Sequence, residues 1–144
     1  MATERRADVI WEGSLMEGSG TITSTGSGAL PQLPVTWASR AESPDGRTSP
    51  EELIAAAHAS CFAMALSGAL AKAGNPPERL ETSATVTFVP GTGITKAALT
   101  VTGRVPGIDG AAFQEAAEGA KDGCPVSGAL KGNVELTLDA RLAD

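Results

Sequence analysis

Between Leu53 and Ala71 the chain runs 19 residues, "LIAAAHASCFAMALSGALA", without a formal charge. This stretch constrains the fold more than any other. Its start is well specified for a helix: Ser49 can act as N-cap, Pro50 suits the first helical position, and Glu52 stands where a capping box needs its acid. Gly74, before "NPP", stops it, so the spacing predicts a helix over 50–73, about 36 Å long at the usual rise. Such a helix is apolar nearly all round and must be covered on every side. Its length permits a membrane span. However, the run is rich in alanine, holds His58, Ser60, Ser67 and Gly68, and has no Lys or Arg excess at one end, so a membrane is not its expected environment. A single chain with five or six short strands can hardly wrap it, and a second copy is the economical source of cover. A symmetric homodimer is therefore expected.

At 144 residues the chain suits one domain, 1–144. Aromatic residues are only 3% of it, so its core must rest on aliphatic and small side chains. The net charge of −6, with no basic cluster, argues against nucleic-acid binding by counterion release. "MATERRADVIWEG" lacks the apolar segment of a secretory signal, which makes the cytosol the expected compartment. There, two cysteines are more readily reactive or ligating than a structural staple.

The remaining elements alternate in an orderly way. "ADVIWEG" and "GTITST" read as a hairpin and "LPVTWAS" continues the β pattern, followed by the loop "RAESPDGRT". After the long helix, "LETSATVTFVPG" and "ITKAALTVTGRVPG" read as paired strands. "DGAAFQEAAEGAKDG" reads as an amphipathic helix capped by Asp109, and "CPVSGALKG" as a short helix with Cys124 at its N-cap and Pro125 at N1. "NVELTLDARL" closes as a strand.

Cys61 lies within the apolar helix, where a cysteine can be plain core filler or a reagent. Cys124, at a helix N-terminus, has its own reason for a lowered pKa. His58, three residues before Cys61, could join both cysteines in a zinc site, although structural zinc usually takes four protein ligands and the chain has no second histidine or third cysteine. A satisfied, partly buried histidine is the alternative. Ser127 reads as a first-turn residue, since no histidine and acid accompany it in sequence. Trp11 and Trp37 suit either a ligand groove or a plug of core or interface.

"SPEELIAAAHASCFAMALS" together with "GCPVSGALKG" resembles the OsmC/Ohr family of organic hydroperoxide reductases, the OsmC branch in particular. The likeness extends over "WEG", "GSGT", the Arg40 loop, "GITKAALTV", "VPGID" and "VELTLDARL". It implies an α+β fold forming an intertwined homodimer, with two long central helices wrapped by antiparallel-rich sheets. It also implies a two-cysteine peroxidase needing no cofactor. In that scheme Cys61 attacks an organic hydroperoxide and becomes a sulfenic acid, Cys124 closes a disulfide with it, Arg40 holds the thiolate, and Glu51 pairs with Arg40. An external dithiol, a dihydrolipoyl group on a partner protein rather than thioredoxin, would reopen the disulfide. Phe62, Met64 and Leu66 would suit an alkyl or lipid hydroperoxide as pocket wall, or serve as core.

Overall fold

Alternating side chains in "ADVIWE" and "SGTITST" build an antiparallel hairpin of β1 (Ala7–Glu12) and β2 (Ser19–Thr25), which the short β3 (Leu33–Val35) extends on the β2 side. Gly20 of β2 lies beneath the Trp11 ring, and a Cβ there would stand 2.6 Å from ring carbon Cε3. The computed structural model describes all residues, Met1–Asp144. It divides into two compact units, Met1–Leu53 and Ile54–Asp144.

The strand expected to run through "LPVTWAS" ends at Val35, and Trp37–Ala41 form a short helix, α1, instead. Thr36 and Ser39 explain the change. The Thr36 hydroxyl accepts from the Ser39 amide and the Ser39 hydroxyl accepts from the Thr36 amide, each at 3.0 Å. This reciprocal cap satisfies donors that a strand would have had to pair elsewhere.

The long helix, α2, covers Pro50–Lys72, close to the sequence expectation. Ser49 accepts from the Glu52 amide at 3.1 Å. The Glu52 carboxylate does not return to the cap; it accepts from the Thr48 hydroxyl at 2.7 Å, so only half of the predicted capping box forms. Gly74, at φ +91°, takes the left-handed conformation that ends the helix at little steric cost.

In the second unit β4 (Arg79–Val89) and β5 (Gly93–Arg104) pair antiparallel, and β6 (Glu135–Leu142) lies parallel to β5 on its other edge. A parallel neighbour needs a long crossover. It is supplied by α3 (Gly110–Gly123) and α4 (Pro125–Leu130), which begin at the predicted Asp109 and Cys124. Asp109 caps α3 by accepting from the Ala112 amide at 2.8 Å.

The core of this unit joins Phe62, Leu66 and Leu70 of α2 to Leu99 and Val101 of β5 and Phe113, Ala117 and Ala120 of α3. Gly103 allows the close approach of α3, because a Cβ there would fall 2.5 Å from the Phe113 ring. The i, i+4 row His58, Phe62, Leu66, Leu70 is the buried stripe of α2. Phe62 and Leu66 are thus core and not pocket wall. Within one chain the rest of the helix is poorly covered: 22% of its most apolar 18-residue window is buried, and Met64 is 75% exposed. By length and composition alone α2 could cross a membrane.

Candidate active site

In the first unit, α1 presents Arg40 to Glu51 in the first turn of α2. Arg40 Nη2 lies 2.8 Å from Glu51 Oε1, and Nε lies 3.0 and 3.1 Å from Oε1 and Oε2. Glu51 is buried, and this fork gives its carboxylate its hydrogen-bond partners. A cavity of about 180 Å³ opens beside the pair, lined by Trp11, Leu15, Val35, Trp37, Pro50 and Arg40. Of the two readings open to Trp11 and Trp37, the groove is the one this arrangement favours.

In the second unit, α2 and the start of α4 bring together Cys61 and Cys124, which are 63 positions apart in the sequence. Both are free thiols, Cys61 partly exposed and Cys124 buried. The two thiols lie close enough for each to shift the other's ionisation. Burial pushes the Cys61 thiol up, and sharing its proton with Cys124 pushes it further, against a pull from the Val126 amide. At Cys124 burial also acts upward. It is outweighed by the Cys61 proton, the Ser127 and Val126 amides and the Ser127 hydroxyl, so this thiol falls below its ordinary range. The two thiols interact, so they titrate as a pair.

His58 departs from expectation. It is fully buried rather than partly so, and its Nε2 lies 2.8 Å from Ser127 Oγ. Its Nδ1 is buried without a hydrogen-bond partner, at a cost of about 1–3 kcal/mol. Burial holds its pKa below the ordinary 6.5. Ser127 therefore does have a histidine beside it, which sequence reasoning missed because the two are 69 positions apart. No acid completes a triad, and Ser127 is 2% exposed, which does not suit a nucleophile. His58, Cys61 and Cys124 do not assemble into a zinc site, since no group of three or more His, Cys, Asp or Glu is arranged to hold a metal ion.

The sequence matches the family model described as OsmC-like protein over residues 43–139. It is 46% identical over 145 residues to peroxiredoxin OsmC of Escherichia coli strain K12, covering 99% of each chain. It is 35% identical over 94 residues to an organic hydroperoxide resistance protein of Xanthomonas axonopodis pv. citri, covering 63% of this chain and 65% of that one. Among solved structures, an OsmC-like protein from Mycoplasma pneumoniae matches with a TM-score of 0.74 at 14% identity, covering all of both chains. OhrB of Bacillus subtilis matches at 0.69 and 24% identity, covering 94% of this chain and 98% of that one. Over most of its length, in sequence and in its α+β fold alike, the chain belongs to the OsmC family.

Proposed function

We propose that this protein is a thiol-dependent peroxidase that reduces organic hydroperoxides to alcohols. The observation that carries the reading is the neighbouring pair of free thiols, Cys61 and Cys124, on two elements far apart in sequence. The names of the relatives, a peroxiredoxin and an organic hydroperoxide resistance protein, support the same chemistry.

The family resemblance implies the order of the two thiols, and their difference in exposure supports it. Attack on a peroxide needs a sulfur that the O–O bond can reach, and Cys61 is the more exposed of the two. Its thiolate takes the distal oxygen, alcohol leaves, and Cys61 becomes a sulfenic acid. Cys124 condenses with it and water departs. The lower pKa of Cys124 suits the resolving role, because a reductant attacking Cys61 then expels the better leaving group. That reductant is an external dithiol, a dihydrolipoyl group on a partner protein. Since burial opposes ionisation of Cys61, a cation is needed, and Arg40, oriented by Glu51, serves as that cation. The apolar cavity beside Arg40 suits an alkyl chain better than hydrogen peroxide.

The whole chain, 1–144, works as one domain, in keeping with relatives that match it nearly end to end. Two copies pair through the poorly covered, uncharged surface of α2. The compartment is the cytosol, where thiols are kept reduced between turnovers. Thiol counting tests the mechanism: one equivalent of cumene-type hydroperoxide should remove both titratable thiols per chain. Unchanged thiols would refute it. Steady-state turnover should be faster with a lipoyl system than with thioredoxin, and faster with the organic peroxide than with hydrogen peroxide.

A further inference from the structure

We infer that His58, held 2.8 Å from Ser127, is a positioning residue for the resolving step: it turns the Ser127 hydroxyl toward Cys124 and so governs how fast the disulfide closes. The inference rests on the peroxidase reading above. His58 occupies the first place in the buried i, i+4 row of α2, ahead of Phe62, Leu66 and Leu70. A leucine would fill such a position without polar cost. The imidazole instead buries an Nδ1 that is the only buried side-chain nitrogen or oxygen in the chain without a partner. Its one polar bond is directed at Ser127.

A serine hydroxyl has a single proton to give. Ser127 Oγ has two neighbours that could take it, His58 Nε2 and the Cys124 sulfur. The hydroxyl can point at sulfur only if Nε2 carries the imidazole proton and donates to Oγ. Nδ1 is then a bare acceptor, the atom found without a partner. In this tautomer the row of donors runs from His58 through Ser127 to Cys124, where negative charge develops as that thiol ionises. A donor fixed in advance stabilises that charge without reorganising during the step. The step balances internally. The Cys124 sulfur attacks the sulfur of the Cys61 sulfenic acid, an S–S bond forms and the S–O bond breaks. The Cys124 proton and the departing hydroxide leave as one water.

The test compares isosteric pairs. Ser127→Thr keeps a hydroxyl that Ser127→Val lacks, at nearly equal volume; His58→Gln keeps a donor that His58→Met lacks. Stopped-flow measurement with cumene-type hydroperoxide separates sulfenic acid formation at Cys61 from disulfide closure. In a Cys61→Ser background, thiolate absorbance titrates Cys124 directly. Closure should slow about tenfold in Ser127→Val and His58→Met, with the Cys124 titration moving up by about one pH unit. Ser127→Thr and His58→Gln should stay near wild type. A purely structural role would impair the members of each pair alike, and that result, or unchanged closure in Ser127→Val, overturns the inference. If both Ser127 variants fail to fold, the His58 pair decides by the same readings. Failure of wild-type protein to form any sulfenic acid would instead refute the peroxidase reading.

Discussion

Arg40 holds the buried Glu51 carboxylate with two of its nitrogens, Nη2 at 2.8 Å from Oε1 and Nε at 3.0 and 3.1 Å from the two oxygens. A fork of this kind fixes the plane of the guanidinium as well as its place. On the proposed mechanism the arginine has two duties, one to Glu51 and one to the thiolate of Cys61.

Arg40→Met should therefore do two measurable things. It should cost about 2 kcal/mol of stability in urea, because the carboxylate remains buried without its partner. It should also move alkylation of Cys61, titrated in a Cys124→Ser background, up by about two pH units. Arg40→Lys should recover only part of the second effect, since an ammonium cannot hold carboxylate and sulfur in one plane. An unmoved titration in Arg40→Met would assign the activation to another cation.

The cysteines should separate by step. Cys61→Ser should abolish reaction with peroxide, whereas Cys124→Ser should react once and stall as a sulfenic acid that a dimedone-type probe traps. Equal loss of the first turnover in both variants would show that the roles are wrongly assigned.

Met64, exposed on an uncharged helix, suits a place in the interface between two copies. Sedimentation at micromolar concentration should give a dimer, and Met64→Glu should shift it toward single chains by placing a charge in an apolar contact. A wild-type monomer under those conditions would defeat the proposal.

His58 is the only histidine, which makes its linkage to pH readable. Burial lowers its folded-state pKa below the ordinary 6.5, so the unfolded chain binds the proton more readily. Stability contributed by neutral His58 is thus fully present above that ordinary value and is lost as pH falls through the window between it and the depressed folded value. Urea unfolding should weaken by up to about 1.4 kcal/mol per pH unit in that window, and His58→Gln should flatten the dependence. A wild-type profile as flat as that of His58→Gln would show that the ring titrates alike in both states.

What the sequence by itself determined is chiefly what neighbours along the chain decide. Ser49, Pro50 and Gly74 set the ends of α2 to within one residue, and Asp109 set the start of α3, because caps and left-handed stops act within a turn. The family motif marked Cys61 and Cys124 for the same reason of local spelling. The end of β3 at Val35 was locally encoded too, but the reciprocal cap of Thr36 and Ser39 pairs two weak signals that an apparent strand pattern masked.

Tertiary packing decided the rest. The parallel seating of β6 on β5 depends on how α3 covers the sheet. The meeting of Cys61 with Cys124, and of His58 with Ser127, joins α2 to the start of α4 across more than sixty residues of chain. No periodicity in either segment specifies such a bond. It arises because the stripe of Phe62, Leu66 and Leu70 and the row of Phe113, Ala117 and Ala120 share one apolar core. Burying those two faces together carries the polar groups at their ends into contact.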